Sequence, residues 1–257
     1  MNATQTLVAL WTLVIKEIKR FTRIWPQTLL PPSITMAMYF IIFGNLIGSR
    51  IGTMDNFSYM DFIVPGLIMM AVITNSYSNV ASSFFSNKFQ RSVEEMMVSP
   101  MPSWVILSGF MLGGMARGLG VGAIVTVVSL FFTQLHIEHP LLTVLVVVLT
   151  SALFSIGGFI NALLANKFDD ISIVPTFILT PLTYLGGVFY SISMLPDFWQ
   201  GVSMLNPIFY MVNVFRYGIL GVSDIPAGWA LAAVFGFIIV FYTLALKMLE
   251  RGYGIRS

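Results

Sequence analysis

The chain has 257 residues, 57% of them hydrophobic and 9% charged, against roughly 45–50% apolar and about 25% charged in an ordinary soluble domain. With a mean hydropathy of +0.86 it has too few charges to cover a soluble surface, which excludes a cytosolic enzyme, a disordered chain and a disulfide-stapled secreted module and points to a bilayer. No cysteine is present, which removes thiol chemistry and disulfides, and a net charge of +2 is too small to argue for nucleic acid.

In chain order, Leu7, Leu10, Val14, Ile18 and Phe21 recur at spacings of three and four opposite a basic face, which predicts an amphipathic helix within residues 1–25 lying on the cytoplasmic leaflet. The basic stretch Lys16, Lys19, Arg20, Arg23 leads into an apolar run far longer than a signal peptide's, so the first span is expected to stay attached. Six runs of about 20 apolar residues, the length of a membrane span, lie near 26–48, 62–86, 107–133, 141–165, 171–190 and 227–249. Pro26, Pro31 and Pro32 suit a first helical turn.

An even number of spans puts both termini on one side. Ten basic residues fall there (Lys16, Lys19, Arg20, Arg23, Lys88, Arg91, Lys167, Lys247, Arg251, Arg256) against Arg50 and Arg216 on the other, which predicts cytoplasmic termini. Arg117 lies inside the third run. Either a long helix turns it toward a protein interior, or the span is 118–137 and residues 103–116 lie at the interface. Its role is then a snorkelling anchor or a substrate-facing charge. Residues 191–223 are apolar and aromatic but broken by Pro196 and Pro207, a pattern of a re-entrant hairpin before the last span, with an aromatic interfacial loop as the alternative.

The loop 87–103 carries an amphipathic pattern. Phe89, Val93, Met96 and Met97 fall on one side, charges on the other, and Pro100 with Pro102 ends it. Such a helix lies on the membrane or fills a groove on another protein, and methionines suit a protein groove. Gly109 and Gly113, Gly114 and Gly118, and Gly118 and Gly122 are spaced by four, which predicts close packing of the third span within the chain ahead of a dimer contact.

Several chemistries are disfavoured. No glycine-rich phosphate loop ending in Lys and Ser or Thr occurs, so the chain is not expected to hydrolyse ATP alone. His136, Glu138 and His139 read as a solvated turn rather than a metal site. The acidic residues, from Glu17 and Asp55 to Glu250, all fall in loops or at span ends, which argues against an ion-coupled secondary transporter. An intramembrane enzyme lacks a histidine or carboxylate pair within the spans. Asp169 and Asp170 are expected to cap the fifth span.

The run from Arg91 to Pro100, Arg-Ser-Val-Glu-Glu-Met-Met-Val-Ser-Pro, resembles the first cytoplasmic loop of the ABC-2 type transport permeases. The tract from Pro181 to Tyr190, followed by Leu195, Pro196, Leu205, Asn206 and Pro207, is similar to that family's fifth span and outer re-entrant segment, and Phe62 to Leu67 is in keeping with it. The resemblance runs the length of the chain. It implies an all-α membrane domain of six spans in the bacterial inner membrane, working as the permease of an exporter. It also implies a second permease copy and two separate ATPase subunits that bind ATP and Mg, with no cofactor in this chain. By the same resemblance, the helix around Glu94, with Phe89, Arg91, Val93, Glu95, Met96, Met97 and Pro100, is the coupling helix seated in the ATPase. A path between the permeases would be lined partly by the first, second and fifth spans, and Arg117, Pro181, Tyr184, Gly186 and Gly187 are the candidates for that path or for a dimer contact. The family's cargoes range over drugs, polysaccharides, lipids and haem-related compounds, so it does not fix the substrate.

Overall fold

The computed structural model describes residues 2–54 and 57–255, without the side chains of Asn45 and Ser49; Asp55 and Arg256, counted above, lie outside the described residues. The chain is mostly helical, with one two-residue hairpin pairing β1 (Thr53–Met54) and β2 (Phe57–Ser58).

Helix α1 (Ala3–Arg23) starts at Asn2, whose backbone N–H donates to the Gln5 side chain. The side it turns to the protein only partly matches the apolar stripe. Leu7 is 67% exposed, whereas Leu13, Val14, Glu17 and Phe21 are buried. The cause lies in α5 (Ser103–Ser129), where a Cβ on Gly109 or Gly113 would collide with Leu13 or Glu17. Apolar periodicity cannot tell a lipid-facing stripe from a protein-facing one, and the glycine pair selects the docked face.

The second element, α2, is assembled from Trp25–Thr28, Leu30–Tyr39, a π-helical stretch Phe40–Ile47 and Gly48–Ile51. Pro26 and Pro31 sit in first turns, where a missing N–H costs nothing. Helix α3 (Tyr59–Phe89) is the axis of the bundle, packed along α5 and α6 (Pro140–Leu164). Between α3 and α5 lies the short α4 (Ser92–Val98). Helix α5 runs unbroken through Arg117, the first of the two readings, and ends at Ser129 rather than near 133. Its other glycine face meets α3: Gly118 abuts Ser76, and Gly122 abuts Val72. The glycine spacing thus serves packing within the chain.

The expected fifth span is shorter than its apolar run. Element α7 consists of Asp170–Val174, the π-helical Pro175–Leu179 and Thr180–Tyr184, about 22 Å of helix at 1.5 Å per residue. Two prolines remove backbone donors within it, and Gly187, at φ +73°, turns the chain away. Residues 191–223 form a helical hairpin of α8 (Asp197–Met204) and α9 (Pro207–Leu220), joined where Asn206 accepts from the Ile208 N–H. Helix α9 is buried among α3, α6 and α10 (Ala227–Glu250). Among the described residues, five helices are long and apolar enough to cross a membrane: Trp25–Gly44, Tyr59–Phe89, Ser103–Ser129, Pro140–Leu164 and Ala227–Glu250.

Both ends of the described chain lie at one end of the bundle. Lys16 donates to Asn87 at 2.8 Å, and residues beyond α10 fold back over the end of α6, with Gly254 against Leu163 and Ile255 buried.

Candidate functional site

At that terminal end α4 stands on a single fully buried side chain, Val93, with Met96 and Met97 half-buried against the same apolar cluster. Arg91, Glu94, Glu95 and Pro100 are exposed. The two glutamates occupy the first turn, the favourable end of the helix dipole. Phe89 is not on this helix. It ends α3, because Arg91 adopts φ 60°, a left-handed conformation that separates the two helices. There it is 67% exposed and packs on Phe168 at 5.2 Å. The structure adds Val98, 88% exposed and one turn beyond Glu94 and Glu95; its spacing from the glutamates is the signal that apolar patterning passed over. Lys88 caps α6, donating to the carbonyls of Leu163 at 2.8 Å and Ala165 at 2.5 Å.

The opposite end holds three of the four far-end candidates together. Tyr184 stacks on Phe189 at 5.7 Å, and Phe189 meets Phe43 at 4.9 Å and Tyr39 at 6.3 Å, so aromatic side chains join α2 to the turn after α7. Tyr59 of α3 donates to the Phe189 carbonyl at 3.3 Å. Gly186 admits Ile208, and Gly66 of α3 admits the Val188 backbone. Pro181 is exposed on α7. The Gly187 carbonyl accepts from Arg216, which the charge count set on the side away from the termini. Arg216 is 1% exposed inside α9, over the Phe62 ring at 4.0 Å and 3.8 Å from the Asp224 carboxylate. A desolvated guanidinium over an aromatic face gains more than an exposed one.

Arg117 joins neither group. It donates to Asn75 at 3.2 Å and to the Thr28 carbonyl at 3.5 Å, tying α5 to α3 and to the start of α2. Two turns of α3 nearer the terminal end, Glu17 is fully enclosed, which corrects its reading as a carboxylate in a loop or at a span end. Ser83 donates to it at 2.6 Å and Arg20 pairs with it at 3.3 Å, while Arg20 also donates to the Asn79 side chain at 2.7 Å.

In the loop before α7, the cap differs from expectation. Asp169 makes no side-chain cap bond; Asp170 instead accepts backbone N–H bonds from Asn166 at 2.8 Å and Lys167 at 3.0 Å. Those two bonds, the Asn166 one first, close the loop rather than cap the helix and hold the carboxyl below the usual aspartate range, so the closure persists into mild acid and is lost as pH falls through the lowered value. His136, Glu138 and His139 are exposed, with the His139 ring 5.0 Å from Tyr217.

A bundle of long apolar helices with an enclosed polar seam, a short charged helix at one end and a hairpin with one buried helix at the other has the form of a membrane transport subunit. The family model for ABC-2 type transporters matches residues 8–220, and the chain belongs to that family as a transporter permease subunit. It is 59% identical over 250 residues, 97% of this chain and 98% of the other, to the inner membrane transport permease YadH of Escherichia coli K12, and equally to that of Shigella flexneri. It is 22% identical over 215 residues, 83% of this chain and 82% of the other, to nodulation protein J of Rhizobium meliloti.

Proposed function

We propose that this permease forms the membrane half of an exporter in the bacterial inner membrane. Two copies pair with two separate ATPase subunits that bind ATP and Mg, and the cargo is unidentified. The chain crosses six times, counting α7, with both termini cytoplasmic and α8–α9 as the re-entrant hairpin. The translocation path runs between the two copies past α2, α3 and α7, and the cluster of Tyr39, Phe43, Tyr184 and Phe189 closes its outer end. The observation that carries the coupling role is the stance of α4. A helix of seven residues, anchored by Val93 with Met96 and Met97 beside it, holds Glu94, Glu95 and Val98 away from the body at the end that bears the termini.

Such a helix is a lever seated in a partner, with Glu94 its main polar contact. Losing one partner of a buried, hydrogen-bonded charge pair costs about 2–5 kcal/mol at an interface, whereas the same change on a solvated loop stays within about 0.5 kcal/mol. The test is co-purification of the ATPase with membrane-inserted Glu94→Arg permease, together with transport-coupled ATP hydrolysis. Loss of both with normal insertion is expected; normal recovery of a fully coupled complex would remove Glu94 from the role.

A further inference from the structure

Between α6 and α7 lies a slot of about 230 Å³, larger than an apolar cavity of roughly 150 Å³ that takes up benzene. Phe154, Gly157 and Asn161 form one wall and Val174, Ile178 and Leu182 the other, with Pro207 and Phe241 completing it. Its lining runs from Leu153 to Leu164 on α6 and from Val174 to Leu182 on α7, which makes it roughly 12–16 Å long, parallel to the helices. That is the shape of an extended hydrocarbon chain rather than a compact ring. Leu164 and Ile178 are 50% and 51% exposed, so the slot opens sideways on the outside of the bundle.

One polar group inside has no use in the fold. Tyr77 of α3 is 3% exposed, its ring lies along Gly157, and its hydroxyl has one polar neighbour, the Asn161 carboxamide, with which it does not reach full hydrogen-bond geometry. The Asn161 nitrogen is already engaged with the Ile171 carbonyl at 3.0 Å. A buried hydroxyl without a partner is costly, and phenylalanine would fill the same space without it. A phenol with a proton to give, enclosed in an apolar slot, is set for an acceptor at the polar end of a hydrocarbon chain.

We infer that this slot holds an acyl chain of a bilayer lipid, whose ester carbonyl accepts a hydrogen bond from Tyr77 while the hydrocarbon runs between α6 and α7 toward Pro207. A resident lipid fits better than cargo in passage, because the slot is walled by helices of one chain, ends at Pro207 and opens to the side. The inference rests on the membrane setting and not on the role of Glu94, so either can fail alone.

The test uses the full chain in vesicles of phosphatidylethanolamine and phosphatidylglycerol, doped with phosphatidylethanolamine that bears a diazirine along one acyl chain, or with its ether-linked analogue, which lacks the carbonyl. Photolabelling is expected to concentrate on Phe154, Gly157, Ile178 and Leu182, with the ester probe favoured about 3- to 10-fold, the worth of one hydrogen bond. Tyr77→Phe, which keeps the ring, should equalise the two probes, and Gly157→Leu, which fills the slot, should lower labelling by both. Labelling spread evenly over α6, α7 and α10 would overturn the site. So would Tyr77→Phe protein that still prefers the ester probe, or wild-type protein that takes both probes equally.

Discussion

Helices α3 and α10 invert the rule of soluble cores. The most apolar stretch of α10 has a mean hydropathy of 2.3 and is 17% buried, while that of α3 reaches only 1.3 and is 78% buried. Lipid is as apolar as leucine, so hydrocarbon side chains gain little by leaving it, and helices associate through small and polar residues that allow close approach and hydrogen bonds. Helix α3 accordingly buries Asn75, Ser76, Asn79 and Ser83, whereas the buried residues of α10 are Ala230, Val234, Ala245 and Leu249. Between these two helices hydropathy marks the surface and polarity marks the interior.

That contrast can be attacked at four points. Arg216→Leu strikes the most enclosed cation: it leaves the Asp224 carboxylate with the Ser191 hydroxyl alone and the Gly187 carbonyl unanswered, and should cost about 3–5 kcal/mol, measured by unfolding in mixed micelles; a loss below 1 kcal/mol would show that Arg216 pins nothing. Ile239→Arg places a charge at the middle of the exposed face of α10 and should cost about 2.5–3.5 kcal/mol of insertion free energy. Unchanged insertion would mean that this face is not against lipid. Lys88→Met removes the cap from α6, at about 1.5 kcal/mol for a partly exposed charged donor, and amide exchange at Asn161 to Ala165 should speed up accordingly. Smallest is Ser76→Ala: its buried hydroxyl has no partner, so the change should stay within about 0.5 kcal/mol. A large loss there would reveal a contact that the packing does not show.

Much of the scaffold was legible. Apolar runs located α5, α6 and α10 to within about four residues, and the fourfold glycine spacing announced close packing, because glycine is small whichever neighbour it meets. What escaped depends on neighbours. The docked face of α1 is chosen by Gly109 and Gly113, far along the chain; the enclosure of Arg216 needs Phe62 and Gly187 at once. Phe89 parted from α4 because a non-glycine residue took a positive φ, for which arginine carries no sequence mark. Of the candidate residues, the split of α4 between a buried Val93 and exposed glutamates was legible in the pattern, whereas the bonds of Arg117 to Asn75 and Thr28 depend on residues far along the chain.

The seat of Glu17 also bears on how the molecule is made. Ser83 is synthesised 66 residues after Glu17, and Gly113, which clears the space for it, later still. At about 5–20 residues per second, the finished first helix waits several seconds on the ribosome before its groove exists. Its carboxylate does not wait alone, because Arg20, three residues on, belongs to the same helix. The pair can neutralise itself in the nascent chain, so that Glu17 arrives at α3 and α5 with its own charge already answered.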